Sequence, residues 1–273
     1  MTIFEAVILG IIQGLTEFLP VSSSGHFVLG EYFLGIKESD DVTFVVLLHF
    51  GTFLSVVIYF RERIFEILNA IKLGLSGNII QVAKENYKVK EAIFLLTASV
   101  PAAVIGLAFE DFFEEAFSNL LGVSIALMVT GTILYLSEKA TPGTKRLNST
   151  NTFLIGCAQA AAIIPGISRS GSTICTGLFL GIKKEMAAEF SFLLSLPVIL
   201  GATILKVGGM IGANYTNHEL IAFTIGTIAS FISGYFAIVL VMDTIKKKKF
   251  SYFSYYCWAV GLFGIVYFGF FLP

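Results

Sequence analysis

Apolar residues occur along this chain in long runs, and polar residues are mostly confined to the short intervals between them. Six of the runs are about 20 residues long: 42–60, 89–109, 118–137, 186–206, 219–240 and 253–272. A helix of about 20 residues crosses the roughly 30 Å hydrocarbon core of a bilayer. The pattern therefore predicts an all-α, polytopic membrane protein with about six transmembrane helices.

Two further apolar regions, 1–36 and 152–182, are interrupted near their middles by Pro, Gly and Ser. In the first region, residues 3–19 predict a helix about 25 Å long at a rise of 1.5 Å per residue. Pro20 ends that helix, and a short apolar run, 26–36, follows. Each region therefore predicts two half-helices joined by an irregular turn.

The basic residues indicate how these segments are threaded through the membrane. Fifteen of the eighteen Lys and Arg residues lie in four connections: 61–90, 138–151, 181–187 and 241–252. The positive-inside rule places these four connections in the cytoplasm. Six spans can connect these cytoplasmic segments only if region 152–182 enters and leaves the membrane on the cytoplasmic side. Region 1–36 would then enter and leave on the external side. We therefore expect two re-entrant hairpins inserted from opposite faces, with both termini external.

The two broken regions also resemble each other in sequence. At an offset of 146 residues, small and polar residues coincide: Gly10, Gln13, Ser22, Ser24 and Gly25 with Gly156, Gln159, Ser168, Ser170 and Gly171. This predicts an inverted repeat, residues 1–137 and 152–273, within one membrane domain. Inverted repeats with broken helices are the usual plan of secondary transporters, so a transport function stays open.

The composition agrees with a membrane protein, since 56% of the residues are hydrophobic and 14% are charged. A soluble domain carries about 25% charged residues. We expect membrane lipid around the chain and no nucleic-acid partner.

The stretch QGLTEFLPVSSSGH, residues 13–26, carries the first cluster of reactive side chains. Gln13 and Glu17 are four residues apart and share one helix face. A carboxylate at the membrane centre costs on the order of 2.5–3.5 kcal/mol, so it usually faces a polar cavity or a partner. Ser22, Ser23 and His26 add hydroxyls and an imidazole at a helix start, where backbone N–H groups attract an anion. The alternative is that the serines only cap the helix and His26 is a hydrogen-bonded helix residue.

The stretch PGISRSGST, residues 165–173, carries the second cluster. Arg169 is the one Lys or Arg in that hairpin, and its planar guanidinium suits phosphate or carboxylate. Neighbouring hydroxyls and glycine-freed N–H groups complete an oxyanion site. The alternative is a structural Arg169–Glu17 ion pair that ties the hairpins together, and the two functions are compatible. His49, on a predicted span, is a weaker candidate for the same cavity.

Together the two stretches resemble the signatures of the bacterial undecaprenyl-diphosphate phosphatases, also called bacitracin-resistance proteins. The first resembles their Glu/Gln-x-x-x-Glu motif with trailing serines, and the second their PG-x-SRS-x-x-T motif. The resemblance covers the whole chain. It implies a plasma-membrane hydrolase that converts undecaprenyl diphosphate to undecaprenyl phosphate and inorganic phosphate, recycling the lipid carrier for cell-wall synthesis. It also implies a polyprenyl diphosphate substrate and an active site that faces outward.

Carried over by position, the resemblance assigns a role to nine residues. The implied catalytic residues are Glu17, Ser23, His26 and Arg169. The implied substrate-binding residues are Gln13, Ser22, Ser168, Ser170 and Thr173. A divalent cation, Mg²⁺ or Ca²⁺, is also implied, with Glu17 as its protein ligand. Position 13 is Gln here where many relatives have Glu, which leaves one carboxylate fewer for a metal.

Three questions stay open at this level. The nucleophile is either Ser23, activated by His26 or Glu17, or a water molecule, and we favour a Ser23–His26 pair. The alternative function is a transporter or flippase for an anionic polyprenyl lipid. A homodimer is also left open.

Overall fold

The computed structural model describes residues 1–36, 42–75, 79–141, 143–210, 215–246 and 250–271. Within these ranges the chain forms helices and no β-strand beyond one isolated bridge, between Lys145 and Ile182. The helices are α1 Ile3–Phe18, α2 Ser23–Leu34, α3 Val42–Tyr59, α4 Arg61–Leu75, α5 Ile79–Glu85, α6 Tyr87–Ala108, α7 Glu110–Ser118, α8 Leu120–Glu138, α9 Ser149–Ala161, α10 Arg169–Phe179, α11 Lys184–Met210, α12 Asn217–Lys246 and α13 Ser251–Val266, followed by a π-helical turn at Tyr267–Phe271. The predicted all-α fold is confirmed.

Five helices are each long and apolar enough to cross a membrane: α6, α8, α11, α12 and α13 with its π-helical turn. A sixth candidate, α3, meets the same criterion together with α4, from which it is bent by 85°. These six helices correspond to the six predicted spans. The sequence pattern treated 61–90 as a plain connection, whereas the structure forms α4 and α5 there.

The two interrupted regions form helical hairpins, α1–α2 and α9–α10. Their helices contain 16, 12, 13 and 11 residues, too few to cross a bilayer singly. Ser22 caps α2, since its Oγ accepts the Gly25 N–H at 3.2 Å. Ser168 caps α10 in the same way, accepting the Gly171 N–H at 3.0 Å. Serine caps of this kind satisfy backbone donors at a helix start.

The hairpins enter the bundle from opposite ends. The end of α3 packs against the start of α11, through Phe60 and Phe192, and against the C-terminal half of α12, through Tyr59 and Tyr235. Helix α11 therefore begins at the end of the bundle where α12 finishes. The segment before α9 pairs with the segment before α11 at the Lys145–Ile182 bridge, so α9 begins at that end.

Helix α1 begins at the other end, because it runs alongside α12 from the start of that helix. The Ala6 carbonyl lies 3.0 Å from the place that a Gly226 Cβ would occupy. Further along, Gly14 of α1 lies against Ser230 and Ser233 of α12. The opposite insertion of the two hairpins agrees with the prediction from the basic residues.

The arrangement supports the proposed inverted repeat. A hairpin followed by three long helices occurs twice, as α1–α2, α3, α6 and α8, and as α9–α10, α11, α12 and α13. Gly10 of α1 lies so close to the Gly226 carbonyl of α12 that a Cβ would overlap it. Gly156 of α9, 146 residues later, meets the Ala98 carbonyl of α6 in the same way. Both hairpins therefore use a glycine at the equivalent position to approach a long helix.

Candidate active site

The turns of the two hairpins meet inside the bundle. The Ser170 Oγ donates to the Leu19 carbonyl at 3.2 Å, and the Gly166 N–H donates to the Ser24 Oγ at 3.4 Å. A Cβ placed on Gly171 would lie 3.4 Å from Pro20. The two motifs singled out in the sequence therefore form one site.

Glu17 is the centre of this site and is 7% exposed. Its Oε1 accepts from the Arg169 Nη2 at 2.5 Å. Its Oε2 accepts from the Ser23 Oγ at 2.6 Å and from the Gln13 Nε2 at 2.9 Å. The His49 Nε2 lies 3.9 Å from the same oxygen. One carboxylate thus joins a hydroxyl of the first hairpin to the guanidinium of the second.

Two helix N-termini face this carboxylate. Helix α2 begins at Ser23 and helix α10 begins at Arg169, and both of these residues bond to Glu17. The N-terminal end of a helix carries a partial positive charge and free N–H groups, which favour anions. Together with the guanidinium, these ends make the site suitable for a phosphate or diphosphate group.

The second loop is held in place by Thr130 of α8. The Thr130 hydroxyl donates to the Gly166 carbonyl at 2.8 Å and accepts the Ser168 N–H at 3.0 Å. Gly166 has φ of +93°, and a Cβ there would overlap the Val123 carbonyl. The PG dipeptide therefore provides a conformation that a larger residue could adopt only with strain. Ser168 and Ser170 lie side by side, with 3.3 Å between their hydroxyl oxygens.

Helix α11 packs against α10 of the second hairpin and bonds to Arg169 and Thr173. The Arg169 Nη1 donates to the Ser191 carbonyl at 3.4 Å. Thr173 donates to the Arg169 carbonyl at 2.8 Å, and its oxygen lies 2.6 Å from the Ser191 Oγ. The structure therefore places Thr173, which is fully buried, between α10 and α11, whereas the resemblance implied contact with substrate.

His26 does not pair with Ser23. Its Nδ1 lies 2.8 Å from the Ser22 carbonyl, and its Nε2 lies 2.8 Å from the Tyr256 hydroxyl. Ser23 instead donates to Glu17. The structure therefore does not bring the favoured Ser23–His26 pair into contact, because the imidazole turns back to the carbonyl of its own helix cap, four residues earlier.

Three residues of this site were not predicted from the sequence: Thr130, Ser191 and Tyr256. Each lies in a mainly apolar span that carries other hydroxyl residues as well, such as Ser124 on α8, Ser195 on α11 and Tyr255 on α13. A hydroxyl in such a span usually satisfies itself on its own helix, as Ser124 does on the Leu120 carbonyl. Only the packing of the spans around the hairpins distinguishes these three residues from such cases.

A preformed metal site does not appear among the described residues, since no three His, Cys, Asp or Glu side chains in that part of the chain lie close enough to share an ion. Glu17 is the one carboxylate in the contacts described above, and both of its oxygens already accept hydrogen bonds. The donor set therefore does not fit a cage made by the protein alone.

Comparison with known proteins gives a consistent result along the whole chain. The sequence model of the family described as bacitracin resistance protein BacA matches residues 6–263. The undecaprenyl-diphosphatase of Alkaliphilus metalliredigens is 43% identical over 268 residues, which cover 96% of this chain and 97% of that protein. The undecaprenyl-diphosphatase of Desulforapulum autotrophicum is 42% identical over 276 residues, covering 97% and 98%. That of Halothermothrix orenii is 43% identical over 274 residues, covering 99% and 100%.

Proposed function

The chain belongs to the bacitracin resistance protein BacA family, and we propose that Ser23, Glu17 and Arg169 form the catalytic centre of its undecaprenyl-diphosphatase activity. The reaction converts undecaprenyl diphosphate to undecaprenyl phosphate and inorganic phosphate, which recycles the lipid carrier for cell-wall synthesis. The observation that carries the assignment is the continuous contact from the Ser23 hydroxyl through the Glu17 carboxylate to the Arg169 guanidinium. Every member of this centre comes from one chain, so the proposal requires no homodimer.

Ser23 is the proposed nucleophile and Glu17 its general base. A nucleophile within hydrogen-bond reach of a base is the usual arrangement for covalent catalysis, and the 2.6 Å contact meets it. The Ser23 oxygen attacks the terminal phosphorus while its proton passes to Glu17. The bond from that phosphorus to the bridging oxygen breaks, and undecaprenyl phosphate leaves. Water then hydrolyses the phosphoserine and releases inorganic phosphate.

Arg169 and the two helix N-termini are proposed to stabilise the transferred group. Phosphoryl transfer depends mainly on positioning and on neutralising charge. When Glu17 accepts the Ser23 proton it loses its negative charge, so its attraction for Arg169 falls at the moment that charge grows on the phosphate. Arg169 can then turn its donors to the phosphoryl oxygens. Gln13, Ser22, Ser168 and Ser170 are the proposed polar wall for the diphosphate.

A water molecule activated by Glu17 is the alternative nucleophile, and it would use the same base, the same guanidinium and the same polar wall. The divalent cation stays a proposal as well. Because the donor set does not fit a protein cage, the steps above do not pass through a metal. If Mg²⁺ or Ca²⁺ takes part, diphosphate oxygens and waters would supply most of its ligands, with Glu17 as one protein ligand.

The basic ends of the helices support an orientation with the second hairpin entering from the cytoplasm. Arg63 at the start of α4 contacts Glu189 of α11 and Glu91 of α6, which places these helix starts at one end of the bundle. Hydrogen bonds from Lys88 and Arg63 hold the pKa of Glu66 at this end below its ordinary value. By the positive-inside rule this end is cytoplasmic. The first hairpin and both termini then face outward, and the diphosphate approaches from outside.

The test is phosphate release by the purified protein in detergent, with C15 and C55 polyprenyl diphosphates and with or without a chelator. The expected result is release by the wild type and by Ser99→Ala, and none above background by Ser23→Ala. Ser99 is a suitable control because its hydroxyl donates to the Leu95 carbonyl on α6, outside the site. Near-normal release by Ser23→Ala would refute the assignment of the nucleophile.

The transport alternative makes a different prediction, and the opposite insertion of the two hairpins is the observation that favours it. A transporter would move a labelled polyprenyl diphosphate across vesicles without hydrolysing it. Release of phosphate in detergent, where no gradient exists, favours the hydrolase.

A further inference from the structure

The residue that precedes the proposed nucleophile has a strained backbone. Ser22 has φ of +73° and ψ of 101°, and it is the one residue other than glycine with positive φ in the described ranges. Such a conformation costs on the order of 1–3 kcal/mol and persists only where its surroundings impose it. The strain lies at the junction that directs Ser23 towards Glu17.

His26 supplies the restraint on Ser22. The Ser22 carbonyl accepts two hydrogen bonds from this residue, one from the backbone N–H at 3.2 Å and one from the ring Nδ1 at 2.8 Å. A carbonyl oxygen only accepts, so Nδ1 must carry the proton. In the neutral ring, Nε2 then has the lone pair, and it accepts the Tyr256 O–H at 2.8 Å. Both ring nitrogens are occupied, which leaves no basic site for the Ser23 proton.

Tyr256 connects this ring to a rigid part of the bundle. The two rings lie nearly parallel, 12° apart, with centroids separated by 5.4 Å. Helix α13, which carries Tyr256, packs tightly against α8: Gly261 lies close to the Ser124 carbonyl, and the Trp258 indole donates to the Met128 carbonyl at 3.2 Å. Among the charged groups of the hairpin helices, Glu17 and Arg169 are bonded to each other.

We propose that His26 and Tyr256 are positioning residues, which hold the strained Ser22 so that the Ser23 hydroxyl stays on Glu17. His26 is then not the general base. The inference rests on the proposed function, because it concerns the same reaction. It also assigns a role to Tyr256, a residue that lies outside both sequence motifs and 230 positions from His26.

Two substitutions at position 26 separate positioning from base catalysis. Asparagine places an amide N–H near the position of Nδ1 and can still donate to the Ser22 carbonyl, whereas glutamine places its amide near Nε2 and cannot. We expect His26→Gln to lower kcat by about 100-fold, the effect of a misplaced reacting group. His26→Asn should restore most of that loss. The pH profile of kcat/KM should keep its wild-type shape in His26→Asn, whereas loss of a general base would remove its acidic limb.

The Tyr256 hydroxyl is tested separately by Tyr256→Phe, with Tyr255→Phe as the matched control. Tyr255 is also partly exposed on α13, and its ring contacts Trp258. We expect Tyr256→Phe to lower kcat about fivefold through the loss of one hydrogen bond, with KM little changed and the control at the wild-type level.

A readout without activity keeps the inference separate from the proposed function. ¹⁵N spectra of histidine-labelled protein, assigned with His26→Asn, should show His26 protonated on Nδ1, and Tyr256→Phe should shift its Nε2 resonance. A ring protonated on Nε2 alone would overturn the inference, as would a folded His26→Asn protein that is as inactive as His26→Gln. Absence of phosphate release by the wild type with the predicted Nδ1 tautomer would instead count against the proposed function.

Discussion

The buried pair of Glu17 and Arg169 leads to a prediction about stability that does not depend on turnover. The Glu17 side chain is 6% exposed and the Arg169 side chain 17%. Removing one member of a buried ion pair costs about 3–5 kcal/mol, because the remaining charge loses its partner. Glu17 would keep Ser23 and Gln13 as donors, and Arg169 would keep the Ser191 carbonyl. We therefore expect the lower end of that range, about 3 kcal/mol, for each single variant.

The perturbation is a double-mutant cycle with Glu17→Gln and Arg169→Met. Replacing both charges by neutral groups of similar size is often close to neutral. The double variant should therefore lose no more stability than either single variant, which corresponds to a coupling free energy of at least about 3 kcal/mol. All three variants should release no phosphate above background, since the base, the guanidinium or both are missing.

The assay is equilibrium unfolding in mixed detergent micelles, followed by circular dichroism and by the fluorescence of Trp258, the one tryptophan of the chain. A matched double variant at Lys88 and Glu66, an exposed pair with side chains 43% and 44% exposed, should show a coupling below about 1 kcal/mol. If Glu17→Gln and Arg169→Met were additive, with a loss of about 6 kcal/mol together, the two side chains would not be paired in the folded protein. Recovery of turnover in the double variant would contradict the site itself.

Three further predictions test other parts of the structure. In Ser23→Ala, kcat should fall by at least about 10³-fold, and acid-quenched wild type should contain a phosphoserine at Ser23 by mass spectrometry; a tenfold loss without that intermediate would favour water as nucleophile. Thr130→Val removes both hydrogen bonds that hold the second loop, so we expect unfolding at lower denaturant with a loss of about 1–3 kcal/mol and a raised KM, and an unchanged unfolding curve would contradict the role of Thr130. Cysteines introduced by His218→Cys and Lys145→Cys should differ in labelling by an impermeant maleimide, the first reacting in intact cells and the second only after lysis; the reverse pattern would refute the proposed orientation.

The hairpins and spans could be predicted because their signals are local. Pro20 and Pro165 end apolar runs that are too short to cross a bilayer, and the basic residues lie in alternate connections. The sequence also offered the pairing of Glu17 with Arg169 as an alternative, since an isolated charge inside a membrane needs a partner. These features depend on properties of single residues: proline ends a helix, and a charged side chain is costly inside the membrane.

The remaining contacts could not be predicted because they depend on how separate helices pack. The sequence places His26 three residues from Ser23, which suggested a catalytic pair, but the ring turns back to the Ser22 carbonyl and meets Tyr256 of α13. The support of Arg169 by Ser191 likewise depends on the position of α11. Helix α4 was missed for another reason. Its sequence mixes charged and apolar residues and therefore contains no long apolar run, and the helix is bent by 85° from α3.

The separation of Glu17 from Arg169 by 152 positions has a consequence for biosynthesis. A ribosome adding about 5–20 residues per second needs roughly 8–30 s to synthesise the intervening chain. During that interval the first hairpin carries a carboxylate whose cationic partner does not yet exist. The hairpin is therefore expected to settle at its final depth only after the second hairpin arrives. Chains truncated before Arg169 are therefore expected to be early targets of membrane proteolysis.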